Sequence, residues 1–248
     1  MTLRFSRDGA ALYAGARNEL YEYRLESNRF TALVSDIPYY VLDIADYSAG
    51  DRVAYVEGQH GLHEWIRSKR IERRYQLDQF QRDIDATRKQ AVAALCTAVD
   101  YSTDGAQIAF CVPGSGENPE EWSYVLRFDV KAGAEISRVR VPAVIQKVRY
   151  VEDTKTLLVW GRPFGIVGSS CGVFGFIAPN SADIHDLRVA KPEKDSIAWI
   201  QHGVADPSAG GHVTLGLTDG RLLQWRREDW PDSWVAPFAE GAGQTLGL

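Results

Sequence analysis

One short residue pattern returns along this chain and constrains its fold more than any other feature. Phe5-Ser6-Arg7-Asp8-Gly9 leads into Leu12-Tyr13-Ala14, and Tyr101-Ser102-Thr103-Asp104-Gly105 leads into Ile108-Ala109-Phe110. Tyr47-Ser48-Ala49-Gly50-Asp51 before Val53-Ala54-Tyr55 repeats it with Gly and Asp exchanged. Tyr150-Val151-Glu152-Asp153 before Leu157-Leu158-Val159 is a degenerate fourth copy, and the stretch from Val204 to Leu217 is a weak fifth. Each copy reads as an alternating strand, a Ser/Asp/Gly turn in which Gly tolerates positive φ, and a second apolar strand.

A third strand follows each copy, closed by an aromatic: Tyr23, Trp65, Phe128, Phe176 and Trp225. Fourth-strand candidates come next at Phe30-Thr31-Ala32-Leu33, Arg74-Tyr75-Gln76-Leu77 and Ile136 to Val141. From Phe5 to Tyr47 is 42 residues, then 54 to Tyr101 and 49 to Tyr150. Four strands per step is the repeat of a β-propeller blade, about 40 to 45 residues plus loops. The expected fold is all-β: one propeller domain over 1–248, with four-stranded antiparallel blades and five recognisable units. A sixth blade would have to lie in 66–100. There Asp78 to Ala94 could form a short amphipathic helix, and Arg67-Ser68-Lys69-Arg70-Ile71-Glu72-Arg73-Arg74 reads as a solvated edge.

These blades resemble those of WD-repeat propellers. The likeness rests on the turns Ser6 to Gly9 and Ser102 to Gly105 and on the strand endings Leu126-Arg127-Phe128-Asp129-Val130 and Thr218 to Trp225. The family's Trp-Asp pair stands here as Phe128-Asp129. The resemblance implies a non-enzymatic platform that binds protein partners on loops between blades and between second and third strands.

Charge and motif content narrow the chemistry. A formal net charge of -5 offers no excess of Lys and Arg for phosphate, which argues against nucleic acid as the partner. No apolar run is long enough to cross a bilayer, and the start has no leader-like pattern, so a cytoplasmic protein is expected. Cys96, Cys111 and Cys171 have neither CxxC spacing nor a histidine cluster, so neither disulfide nor zinc is expected. Of 28 basic residues 21 are Arg, a bias in keeping with a GC-rich bacterial genome.

Gly168-Ser169-Ser170-Cys171-Gly172 contains GxSxG, but a nucleophile elbow needs a helix after it and Val173 to Ile177 reads as strand. His60 and His63 beside Glu57 or Glu64 could hold a metal only if they shared a face, and neighbours in a strand do not. Asp43, Asp46 and Asp100 could face a propeller channel as hydrolase acids, though they are not arranged around enough blades to be persuasive. The expectation is therefore no enzyme and no cofactor.

The expected binding face gathers Tyr39 and Tyr40 between blades, Glu57 and His60 after a second strand, and Glu117, Glu120, Glu121 and Trp122 in the next such loop. Arg162 in the following loop and Trp199 complete it. Aromatic anchors ringed by acids suit a protein partner, and a basic one would be steered in. Two other readings stay open: an immunity-type inhibitor of a basic effector, and a propeller hydrolase or lyase with a channel-centred site.

Overall fold

In the computed structural model the described residues are 2–58, 61–75, 96–112, 123–151, 155–162, 172–179, 181, 184, 186–190, 200–206, 212–217, 222–225 and 244–246. They form the all-β propeller class: five four-stranded antiparallel sheets, each a meander of consecutive strands. Among the described residues the only helical turn is a 3-10 turn at Ser48–Gly50. They group into two compact units, 1–112 with 128–134 and 113–127 with 135–248. The region proposed for a sixth blade or a helix, 76–95, lies outside them.

The first sheet holds β1 (Thr2–Phe5), β2 (Ala11–Gly15), β3 (Leu20–Arg24) and β4 (Arg29–Val34). The second holds β5 (Val41–Tyr47), β6 (Arg52–Glu57), β7 (Gly61–Ile66) and β8 (Ile71–Arg74). The third holds β9 (Ala98–Tyr101), β10 (Gln107–Val112), β11 (Ser123–Asp129) and β12 (Ala134–Val141). The fourth holds β13 (Val144–Tyr150), β14 (Leu157–Arg162), β15 (Gly172–Ile177) and β16 (Asp186–Ala190), and the fifth β17 (Ile200–Asp206), β18 (His212–Leu217), β19 (Leu222–Trp225) and β20 (Gln244–Leu246). The second sheet's outer strand thus begins three residues earlier than the sequence suggests, inside the basic cluster.

The two SxDG turns are superposable in their bonding. Ser6 Oγ donates to Asp8 at 2.6 Å and Ser102 Oγ to Asp104 at 2.7 Å, and each serine N–H closes the turn on the carbonyl of Ala11 or Gln107. Gly9 and Gly105 supply the left-handed residue, with φ of 70° and 64°. In the second and fourth sheets that role moves one place on, to Asp51 and Lys155.

Register corrects two of the equivalences read from residue type. Phe5, Tyr101 and Tyr150 pair with Leu12, Ile108 and Leu157, seven residues on, but in the second sheet the residue paired seven on is Asp46, with Val53. Tyr47 therefore occupies the place of Ser6 and Ser102. In the third strands, Tyr23 and Trp65 oppose Leu12 and Val53, whereas Leu157 is opposed by Ile177 and not by Phe176. A one-residue offset sends a side chain to the other face of its sheet, so Tyr47 and Phe176 point away from their supposed equivalents.

Within the first unit the seam between the first two sheets is built by this alternation. Ala11, Tyr13 and Leu20 pack with Ile37, Val41, Ile44, Val53 and Tyr55, all nearly free of solvent contact. Each such large apolar side chain contributes roughly 1.5 to 3 kcal/mol of transfer free energy. Between the second and third sheets, Tyr47 lies 5.9 Å from Tyr101, and Phe128 meets Tyr75 edge-on at 5.7 Å.

Candidate functional site

Strand direction sorts the turns of the first unit onto two ends. The β1–β2, β3–β4, β5–β6 and β7–β8 turns lie at one end, and the β2–β3 and β6–β7 turns with the β4–β5 connection at the other. Each end carries a cleft.

The first cleft, about 270 Å³, is lined by Ser6, Asp8, Tyr13, Glu22, Arg24, Asp51 and Arg67 among others. Its charges are mutually satisfied. Arg67 reaches Asp46 at 2.7 Å and Glu22 at 3.4 Å, donates to the Tyr13 hydroxyl and lies over the Tyr13 ring at 5.3 Å. Tyr13 in turn donates to Glu22 at 3.2 Å, and Arg24 pairs with the other Glu22 oxygen at 3.1 Å. Burial lowers the Arg67 pKa, yet a guanidinium stays charged at any ordinary pH. The basic cluster expected to be a solvated edge is therefore partly interior. Arg67 is held here, and Arg73 donates to the Val130 carbonyl and covers the Tyr75 ring at 5.0 Å.

The three first-strand aspartates considered as hydrolase acids are buried tethers between sheets. Asp43 accepts from the Val99 N–H at 3.2 Å, Asp46 from the Arg7 N–H at 3.3 Å, and Asp100 from Arg4 at 3.1 Å. Arg7 extends the tie by donating to the carbonyls of Tyr101 and Ser102.

Glu57, expected on the binding rim, is only 1% exposed and turns inward. Period-two alternation puts it opposite Gly61, and its Oε1 lies 3.3 Å from His63 Nε2. His63 Nδ1 lies 3.0 Å from Glu72, and the imidazole stacks on Tyr55 at 4.8 Å. Neither nitrogen lines up as a hydrogen-bond donor, so these are close polar contacts between the ring and two carboxylates. The His63 ring holds the Glu72 pKa down, more than offsetting the cost of burial. The two nitrogens face different carboxylates, an arrangement that does not converge on one metal ion, and among the described residues no His/Cys/Asp/Glu group could hold one.

The second cleft, about 480 Å³, is lined by Arg17, Asn18, Pro38, Tyr39 and Tyr40. Tyr39 and Tyr40 are 38% and 58% exposed. Their loop is fixed at both flanks: Ile37 N–H donates to the Asn18 carbonyl at 2.9 Å, and Gly58 N–H to the Tyr40 carbonyl at 3.0 Å. The Arg17 guanidinium lies 5.9 Å over the Tyr40 ring. The two tyrosines thus adjoin the backbone after Glu57, but the Glu57 carboxylate takes no part. Arg17 and Asn18 escaped the sequence reading although they are the second-to-third-strand turn of the first sheet, the kind of loop named in the later blades. Arg162 ends β14 opposite Val144. His60, Glu117, Glu120, Glu121, Trp122 and Trp199 lie outside the described residues, as do residues 168–171 of the GxSxG motif; Gly172 opens strand β15.

Among the described residues no helix is long and apolar enough to cross a membrane. No protein-family model matches the chain, so the WD-repeat likeness rests on its own residues. No curated protein matches it either. Among solved structures 1119 chains match, a breadth that identifies no activity. One is hydrazine synthase of Kuenenia stuttgartiensis, 13% identical with a TM-score of 0.64 over 98% of this chain; the chain spans 60% of the length of that one. At that identity the likeness is one of fold alone: a β-propeller.

Proposed function

We propose that the chain is a protein-binding β-propeller that engages its partner at the Tyr39–Tyr40 rim. The observation that carries this reading is the pair of adjacent exposed tyrosines on a loop pinned at both ends, beside an open cleft. Tyrosine offers a large contact area for few rotatable bonds, which is why it recurs at the energetic centres of interfaces. Loops on a rigid sheet scaffold supply such anchors preorganised. The buried acids of the first unit support a structural role for that unit's interior, since Asp43, Asp46, Asp100 and Glu22 are each engaged by a donor.

The test is a pull-down from the source lysate with the native chain and with Tyr39→Ala/Tyr40→Ala, after matching their thermal melts. A protein retained by the first and lost by the second is the expected result. Identical retained sets overturn the proposal.

A further inference from the structure

We infer that the occupant of the Tyr39–Tyr40 cleft is an extended, acidic peptide segment, its carboxylate on Arg17 and an adjoining apolar side chain on the two tyrosines; this rests on the protein-binding reading above. The described residues carry a cation at this rim where the sequence reading placed Glu57. Of the acids expected at this rim, Glu57 is buried against His63 and Glu117, Glu120 and Glu121 lie outside the described residues; among the described residues the one charged residue lining the cleft is Arg17.

Arg17 is exposed, and among the described residues no carboxylate lies within ion-pair reach of it. Nearby acids are otherwise placed: Tyr21 donates its hydroxyl to Glu19, and neither Glu19 nor Asp36 lines the cleft. A guanidinium over an aromatic face keeps the N–H fork in its own plane free to grip a planar anion. A carboxylate answers that fork with two parallel hydrogen bonds. Asn18, exposed at the same edge, offers an amide donor and acceptor to a peptide backbone. Pro38 and Tyr39 extend the apolar wall, and the volume of about 480 Å³ falls within the roughly 300 to 1,000 Å³ typical of ligand clefts.

The probes are three fluorescein-labelled decapeptides, alternating Glu with Phe, Lys with Phe, and Glu with Ser, titrated with the full chain by anisotropy. The Glu/Phe peptide should bind, weaken with added salt, and exceed both others by roughly tenfold. Arg17→Gln and Tyr40→Ala should each cost about tenfold while their melts match the native chain. Absence of Glu/Phe binding up to millimolar concentration, equal binding of the Lys/Phe peptide, or an unchanged affinity in Arg17→Gln overturns the inference. The pull-down separates the two levels. If a lysate protein is lost with the tyrosine pair while the peptides fail, the rim binds protein and only its acidic preference is wrong; if both fail, the binding reading goes too.

Discussion

Arg67 and Asp46 meet at 2.7 Å in the seam between the first two sheets, at positions where the neighbouring blades carry apolar residues. Register places Asp46 with Phe5 and Tyr101. The N–H of Arg67 donates to the Asp51 carbonyl just as Leu25 donates to Ala10 and Val130 to Ala106, which places Arg67 with Leu25 and Val130. One blade thus carries two opposite charges where the neighbouring blades carry an aromatic and an aliphatic residue. The Asp46 side chain is 1% exposed, so it depends on this partner.

Arg67→Val should therefore cost about 3 to 5 kcal/mol, because it leaves a buried carboxylate without its cation. Asp46→Tyr added to it removes that carboxylate and gives the residue types of the third blade, and should recover most of that loss. Urea melts of the two variants decide it. A double variant no more stable than the single would show that Arg67 acts chiefly through Glu22 and Tyr13.

The His63 cluster predicts an acid limb to stability. Glu72 has its folded pKa below its ordinary value of 4.5, first through His63 and then through the Tyr55 hydroxyl. A carboxyl depressed in the folded state stabilises above its unfolded pKa, and that contribution is lost as pH falls through the folded value. Glu72→Gln should consequently be less stable than the native chain from pH 7 down to about 5, with the gap closing below about 4.5. A gap constant between pH 6 and pH 3 would remove Glu72 from the acid response.

Much of this fold was legible because turn chemistry is local. Ser6-Arg7-Asp8-Gly9 and Ser102-Thr103-Asp104-Gly105 announce their hairpins through side chains that bond their own turn. Register was less legible, since Tyr47 resembles Tyr101 in type while Asp46 shares its place, and a slip of one residue is invisible to residue type. The interior role of Arg67 had a signal in that same alignment: a charge two residues after the third-strand aromatic, where Leu25 and Val130 are apolar. Arg17 was missed because a single cation in a two-residue turn has no pattern. Only its placement over Tyr40 gives it meaning.

The twin turns offer a comparison in which backbone strain is held constant. Gly9 and Gly105 share the left-handed region, at φ of 70° and 64°, but a Cβ on Gly9 would meet open space, whereas one on Gly105 would land on the Tyr47 ring. Gly9→Ala should cost about 1 to 2 kcal/mol, the left-handed penalty alone. Gly105→Ala should cost about 1 to 3 kcal/mol more, because the Tyr47 ring packed against Tyr101 must shift. Equal losses in thermal melts would mean that Tyr47 yields freely.

The third-strand aromatics can be tested in the same way, since Tyr23 and Trp65 share a register position that the bonding of Val130 extends to Phe128. Their surroundings differ. Phe128 is 4% exposed, between Tyr75 at 5.7 Å and Phe110 at 5.6 Å, while Trp65 is only partly buried. Truncating a ring enclosed by other rings removes its transfer free energy and leaves a cavity that rigid neighbours cannot fill, so Phe128→Ala should cost about 3 to 5 kcal/mol. Trp65→Ala, bordered by solvent that can enter the space, should cost about 1 to 2 kcal/mol despite the larger side chain lost. Chemical denaturation of both variants checks the order, and a Trp65 variant less stable than the Phe128 variant would place the first unit's stabilising core on the first-sheet side of the second sheet rather than between the second and third.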